Sequence, residues 1–337
     1  MKGEQKKQGA GSHGDYVRTW SLGFWEAFWM TMRPYLIFVS GAAGLVGLAF
    51  IPVISYPGVV AAFVPLFLSY GLGQALTDCF QTDTDSISSP YRPLVRGLIS
   101  RKQVLAVSLA GLFLGTLVLG ILNPPILLLG FLAVAGLLTY TIFKRTWWGG
   151  PPWNSWIVAL LPVMGRLVDR KYHLQWVFSS ENSRDSSFLF AVLAVFFGYA
   201  NFVVMGYFKD ITADRATGYR TFPVVFGWGA NAIASDILAL LAAVFAGMAI
   251  IFSGHINTLG AVILAFALSL SARAQVLIHR TRDEGKAHGP IAHAVRCFIL
   301  YCAAMVVTLH VNWLAFVVAF YIFFELALRA RPEERQV

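Results

Sequence analysis

Two stretches of this chain combine acidic and basic residues in surroundings that are otherwise apolar. The first, LTDCFQTDTDSISSPYRPLVRG, runs from Leu76 to Gly97 and contains three aspartates and two arginines. The second, YFKDITADRATGYRTFPVVFG, runs from Tyr207 to Gly227. A carboxylate at depth in a bilayer costs about 2.5–3.5 kcal/mol on insertion scales. Both stretches therefore predict a compensating cation or base.

The spacing of the acids predicts two stripes of oxygen ligands. On a regular helix Asp78, Gln81 and Asp85 lie on one face, at i, i+3 and i+7. Asp210 and Asp214, at i and i+4, form a second stripe. Carboxylates without paired cysteines suit a hard cation, and Mg²⁺ is preferred when phosphate oxygens complete its shell.

Basic residues near the acidic stretches are suited to binding an anion. Those expected to contact it are Arg92, Lys144, Lys209 and Arg215. Acids that hold metal ions, together with bases around them, are what a Mg²⁺-bound diphosphate requires. The metal and the bases would then stabilise pyrophosphate as a leaving group.

The elements that position these residues are membrane helices, as the composition indicates. The chain has 337 residues, of which 57% are hydrophobic and 13% charged, where a soluble domain would carry about 25% charged residues. The formal net charge of +9 is explained by basic cytoplasmic loops. We therefore expect an integral membrane protein in contact with lipid, and no nucleic-acid partner.

The apolar runs predict an all-α polytopic bundle of nine or ten transmembrane helices. They fall at about 34–54, 58–77, 103–122, 124–143, 153–168, 186–208, 229–253, 256–279 and 292–328. The last run is too long for one span and is expected to split near His310. Residues 31–329 then form the membrane domain, between a disordered cytoplasmic tail (1–30) and a short cytoplasmic C-terminal tail (330–337).

Counting lysines and arginines predicts the orientation of the helices. The N-terminal tail is basic, and four spans separate the two acidic stretches, so both are expected at the cytoplasmic face. One loop contradicts the count, since residues between the fifth and sixth spans include Arg166, Arg170, Lys171 and Arg184. The sequence alone gives no explanation for this exception.

At this level of detail the chain resembles the UbiA superfamily of intramembrane prenyltransferases, from about residue 30 to about residue 310. The first family motif, NDxxDxxxD followed by PYRP, is matched by Asp78, Asp85 and the segment Pro90–Pro93. Thr77 stands at the usual Asn and Gln81 at the middle Asp. The second motif and two smaller ones are matched by Asp210, Asp214, Arg215, Gly218, Thr221, Pro223, Val224 and Gly227, by Arg33-Pro34, and by Tyr140, Lys144 and Arg145.

The resemblance implies a helical bundle around a central cavity, in which two Mg²⁺ ions anchor an isoprenyl diphosphate. Metal-assisted ionisation would give an allylic cation, and the prenyl group would pass to an aromatic or lipophilic acceptor. Further candidate site residues are Thr77, Asp83, Arg33, Tyr140 and Asn201. Asp83 lies off the stripe of a regular helix and could replace the missing middle acid only if the helix end is irregular.

Two alternatives remain open from the sequence. A terpene cyclase of the same superfamily would fold the allylic cation onto its own double bonds and would need no acceptor. A membrane transporter would also carry intramembrane acids. However, the acidic motifs lie at an interface and not at mid-span, which favours an enzyme.

Overall fold

The computed structural model describes residues 17–19, 21–52, 56–171, 183–255 and 257–331, and this part of the chain is helical without strands. The helices are α1 (Leu22–Met32), α2 (Ile37–Ala49), α3 (Tyr56–Asp78), α4 (Thr82–Ser88), α5 (Arg101–Leu122), α6 (Pro125–Lys144), α7 (Gly150–Leu167), α8 (Ser183–Gly206), α9 (Ile211–Ala216), α10 (Phe222–Phe252), α11 (Thr258–Thr281), α12 (His288–Leu309) and α13 (Leu314–Arg329). The predicted all-α membrane bundle is confirmed.

The number of membrane spans depends on whether α1 and α2 are counted as one span and on whether α7 is counted. Within the described ranges eight helices are long and apolar enough to cross a membrane, and a ninth results if α1 and α2, bent by 46°, form one broken span. Helix α7 covers the run predicted at 153–168 and packs against α2, α6 and α8. Because α7 is surrounded by protein, it can carry more polar residues than a helix that faces lipid.

The N-terminal boundary of the membrane domain differs from the prediction. Residues 22–32, which were expected to lie mostly in a disordered tail, form helix α1. Phe24 and Phe28 are buried and pack with Ala75 and Cys79 near the end of α3. Burial of these aromatic side chains explains why the segment is helical. Most of the predicted tail (1–16) and of the C-terminal tail (332–337) lies outside the described residues.

Several helix ends surround the two acidic stretches. Helices α3, α6 and α8 end there, and α5, α7 and α10 begin there. The short helices α4 and α9 lie against each other between these ends. The fold therefore brings together two stretches that are more than a hundred residues apart in the sequence.

At the opposite end of the bundle, structural contacts account for the basic residues that contradicted the count of lysines and arginines. Arg166 forms an ion pair with Asp185 at 2.6 Å. Arg170 donates to the carbonyl oxygens of Ile121 and Leu122 at 3.0 and 2.7 Å, and Arg184 donates to that of Phe50 at 3.4 Å. These carbonyls lie at the C-terminal ends of α5 and α2, where cations are favourable. Three of the four bases thus have a structural role.

Helices α2 and α7 approach each other closely through glycines. A Cβ atom added at Gly47 would lie 2.0 Å from the carbonyl oxygen of Pro162, and one added at Gly165 would lie 2.7 Å from that of Gly44. Small residues that let two backbones approach are typical of helix contacts in membranes. This contact fixes α7 in the centre of the bundle.

Replacing Gly47 by alanine should therefore destabilise the fold by about 1–3 kcal/mol, since the added methyl group meets backbone that cannot move aside. Thermal unfolding in detergent measures the effect. Gly247→Ala is the matched control, because nothing lies within 4 Å of an added Cβ atom there. Equal unfolding temperatures for the two variants would contradict the close contact of α2 with α7.

Candidate active site

The first acidic stretch does not continue α3 as one regular helix. Helix α3 ends at Asp78, the chain turns, and α4 begins after Gln81, whose φ of −123° and ψ of 17° are not helical. The predicted stripe at i, i+3 and i+7 is therefore wrong in its geometry. The turn nevertheless leaves the side chains of Asp78, Gln81 and Asp85 buried, and each of them meets a base.

Asp78 accepts hydrogen bonds from two side chains outside its own helical turn. Its carboxylate accepts two bonds from Nη2 of Arg33, at 2.9 and 3.0 Å, and one from Nε2 of Gln74 at 2.6 Å. Arg33 lies at the break between α1 and α2 and has a left-handed backbone with φ of 53°. Gln74 was not predicted, although its position one helical turn before Asp78 is a signal that the sequence contains.

Asp85 is paired with Arg92 of the PYRP segment. The Nη1 atom of Arg92 contacts the Asp85 carboxylate and lies 3.8 Å from Asp78. Burial raises the pKa of Asp85, while the positive charge of Arg92 opposes this shift. Arg92 thus connects the two acids of the first stretch.

The second acidic stretch is also a broken helix. After α8 a short 3₁₀ turn, Tyr207–Lys209, leads to Asp210 and then to α9. Asp210 lies 3.5 Å from Nζ of Lys209. Burial opposes ionisation of Asp210, but the charges of Lys209, Lys144 and Arg92 together lower its pKa.

Asp214 is fully buried in the first turn of α9. Its Oδ2 atom accepts a hydrogen bond from Thr221 at 3.0 Å, and its Oδ1 atom has no hydrogen-bond partner among the described residues. Burial raises the pKa of Asp214 to about 6, although the charge of Lys144 opposes the shift. A buried carboxylate oxygen without a donor is suited to a hard cation.

Lys144, the last residue of α6, lies between the two stretches. Its Nζ atom donates to Oε1 of Gln81 at 2.7 Å and lies 5.5 Å from the centre of the Tyr219 ring. Lys144 also acts electrostatically on Asp210 and Asp214. Tyr140 is buried one turn earlier on the same helix. The structure therefore brings this predicted pair of α6 residues to both acidic stretches.

Three of the predicted residues do not join this group. Arg215 is exposed on α9, because the residue after Asp214 points away around a helix. Asn201 accepts a hydrogen bond from Ser235 at 2.6 Å and connects α8 to α10. Although the helix end is irregular, Asp83 is 41% exposed and pairs with Arg145. Asp83 therefore does not replace the missing middle acid.

An apolar cavity of about 1000 Å³ extends from the first acidic stretch into the bundle. Near Asp78 it is lined by Gln74 and Thr77, and at the far end by Val60 and Leu119. Thr77 to Val60 corresponds to about 25 Å of helix at 1.5 Å per residue. Three aromatic residues of α1 form part of the wall, namely Trp25, Phe28 and Trp29. The cavity is suited to a long apolar chain.

The carboxylates meet in pairs and not in one cluster. Within the part of the chain that the structure describes, no three His, Cys, Asp or Glu side chains are grouped to hold one ion. Asp78 and Asp85 share Arg92, and Asp210 and Asp214 lie one turn apart, joined by a backbone hydrogen bond of 2.8 Å. A cation at either pair would need further oxygen ligands, which the oxygens of a diphosphate can supply.

Comparison with known proteins identifies the family of the chain. The sequence matches the UbiA prenyltransferase family over residues 35–290, which is more than half of the chain. The chain belongs to this family. The predicted resemblance is confirmed, and the protein is a prenyltransferase and not a transporter.

Curated relatives give a more specific name. The digeranylgeranylglyceryl phosphate synthase of Halobacterium salinarum is 31% identical over 201 residues, which cover 58% of this chain and 67% of the relative. The synthase of the same name from Thermococcus kodakarensis is 26% identical over 298 residues, which cover 84% of this chain and 98% of the relative.

Solved structures of other family members share the fold. A UbiA homolog from Aeropyrum pernix K1 has a TM-score of 0.67 at 19% identity, covering 80% of this chain and 96% of that one. A UbiA homolog from Archaeoglobus fulgidus, bound to GPP and Mg²⁺, has a TM-score of 0.61 at 16% identity and covers 83% and 99%. These likenesses establish a common helical bundle.

Proposed function

We propose that this prenyltransferase ionises a Mg²⁺-bound isoprenyl diphosphate and transfers the prenyl group to a lipophilic acceptor, with release of pyrophosphate. The observation that carries the proposal is the junction of two features. Asp78, which is buried and paired with Arg33, accepts a hydrogen bond from Gln74, and Gln74 lines one end of a long apolar cavity. The charged end suits the diphosphate, and the cavity suits the isoprenyl chain.

Different residues are proposed to bind the metal ions and the diphosphate. Asp78 with Asp85, and Asp210 with Asp214, are proposed to hold two Mg²⁺ ions, one at each pair, and the oxygen of Gln81 is proposed as a further ligand at the first. Magnesium supplies Lewis-acid stabilisation of the leaving group when bound. The proposed donors to the diphosphate oxygens are Arg33, Arg92, Lys144 and Lys209.

The cavity contributes by excluding water. When the bond from carbon to diphosphate oxygen breaks, an allylic cation forms that water would capture. The walls between Thr77 and Val60 are mostly apolar, so the cation persists until the acceptor attacks it. The acceptor's oxygen or carbon then forms the new bond and loses a proton.

The names of the relatives favour a glycerophosphate lipid as the acceptor over an aromatic ring. A lipid acceptor also agrees with a membrane-embedded cavity of this length. The proposed orientation, with the site at the cytoplasmic face, rests on the distribution of lysines and arginines in the sequence.

Pyrophosphate release tests the proposed function. Purified protein is supplied with Mg²⁺ and isoprenyl diphosphates of increasing length, alone, with a glycerophosphate ether lipid, or with an aromatic acid. We expect release and a prenylated lipid only when the lipid acceptor is present, and more with long chains. Release without any acceptor, together with a cyclic product, would contradict transfer and identify a cyclase.

The affinity for Mg²⁺ in the presence of the diphosphate should fall at acidic pH. A raised pKa means that Asp214 takes up a proton below about pH 6, and this proton competes with the metal for the same oxygens. The Mg²⁺ concentration for half-maximal turnover, measured across pH, should rise on the acid side. A flat profile through about pH 6 would contradict a metal-binding role for Asp214.

A further inference from the structure

Asp83 is the acid of the first stretch that the proposed site does not use. Its Oδ2 atom lies 3.0 Å from Nη2 of Arg145, and its Oδ1 atom accepts a hydrogen bond from the Tyr219 hydroxyl at 3.2 Å. Asp83 and Tyr219 are 136 residues apart in the sequence. One carboxylate thus contacts both α6 and the loop that follows α9.

Arg145 completes this contact from the end of α6. Its guanidinium lies 4.7 Å from the centre of the Tyr219 ring and donates to the Tyr219 hydroxyl at 3.4 Å. The carbonyl oxygen of Arg145 also accepts a hydrogen bond from the backbone N–H of Arg220 at 3.1 Å. We call Asp83, Arg145 and Tyr219 the latch.

The latch connects the segments that carry the two carboxylate pairs. Asp83 is on α4, two residues before Asp85, and Tyr219 donates its backbone N–H to the carbonyl oxygen of Asp214 at 2.8 Å. Arg145 directly follows Lys144. A second link, between the hydroxyls of Thr84 and Thr217 at 3.4 Å, joins α4 to the end of α9.

We propose that Asp83 is a positioning residue, which through the latch fixes the separation of the two carboxylate pairs around the Mg²⁺-bound diphosphate. This inference rests on the proposed function. The pair of Asp83 and Arg145 is partly exposed, at 41% and 53% of the side chain, and such pairs contribute little to global stability. Misplacement of a reacting group by about 1 Å is far more costly to a reaction than to folding.

Kinetics of Asp83→Asn, Arg145→Gln and the double variant test the proposal. We expect each single variant to raise the half-saturating Mg²⁺ concentration by about fivefold, with a smaller change in kcat at saturating Mg²⁺. The double variant should lose less than the sum of the two single losses, because both substitutions remove the contact between Asp83 and Arg145. Asp236→Asn is the matched control, since Asp236 forms a similarly exposed pair with His279 at 2.8 Å.

A distance measurement separates this proposal from the proposed function. Spin labels at Thr82→Cys and Ala216→Cys report the separation of α4 and α9 without turnover, since both positions are exposed and the native cysteines Cys79, Cys297 and Cys302 are buried. Asp83→Asn should broaden the distance distribution, and Asp236→Asn should not. An unchanged distribution, or additive kinetic effects, would overturn the latch even if wild-type turnover is as proposed. If the wild-type protein showed no turnover, but Asp83→Asn still broadened the distance distribution, only the proposed function would be overturned.

Discussion

Replacing Asp214 by asparagine should lower the rate of pyrophosphate release by about a thousandfold at any Mg²⁺ concentration, since metal stabilisation of a leaving group is worth several kcal/mol. The substitution removes the charge but keeps an oxygen for the bond from Thr221, which lies 3.0 Å away. Folding should therefore be retained. Turnover and thermal unfolding, measured on the same preparation, distinguish lost chemistry from lost structure.

Asp78→Asn should behave in the same way, with a larger loss of stability because the guanidinium of Arg33, bonded at 2.9 Å, keeps its charge without a carboxylate partner. Asp236→Asn serves as the control, as its carboxylate is 39% exposed and pairs with His279, outside the two stretches. Wild-type turnover in Asp214→Asn or Asp78→Asn would refute the metal site.

Replacing Lys144 by methionine should reduce kcat/KM for the isoprenyl diphosphate by about a hundredfold, which is the loss typical of one charged donor to a developing anion. Methionine keeps an apolar stem of similar length in the buried position. With no diphosphate present, the same variant should bind Mg²⁺ more tightly, because a cation that repels the metal has been removed. Calorimetry measures this second effect.

A lower kcat/KM together with tighter Mg²⁺ binding would not result from a general loss of structure. Lys102→Met, at the exposed start of α5, is the matched control and should change neither quantity. If Lys144→Met weakened Mg²⁺ binding as well, Lys144 would be acting through the packing of Gln81, to which it donates at 2.7 Å.

The fold could be predicted from the sequence because lipid demands long apolar runs. The division of the last run is confirmed, since α12 ends at Leu309 and α13 begins at Leu314. Helix α7, predicted as a span, is not among the helices that are long and apolar enough to cross a membrane, and most of its residues are buried in the bundle. The ordered helix α1 was missed, because its apolar side chains Phe24 and Phe28 follow a polar tail and only tertiary packing reveals their burial.

For the candidate site, the sequence predicted most of the residues that meet but not the geometry in which they meet. A pattern of i, i+3 and i+7 assumes a continuous helix, whereas the chain turns between Asp78 and Thr82. Pairing partners far apart in the sequence, such as Arg33 with Asp78, have no local signal. Arg215 was predicted from its neighbour in the motif, but helical geometry turns it towards solvent.

The ion pairs around the carboxylates have a consequence for the order of loading. Asp78 and Asp85 are paired with Arg33 and Arg92, and Asp210 lies 3.5 Å from Lys209, so the protein holds counter-ions for these three acids. Magnesium alone or a diphosphate alone would leave unbalanced charge in apolar surroundings, which is costly. The charges of Mg²⁺ and of the diphosphate nearly cancel each other. We therefore expect metal and diphosphate to bind together, as one nearly neutral complex.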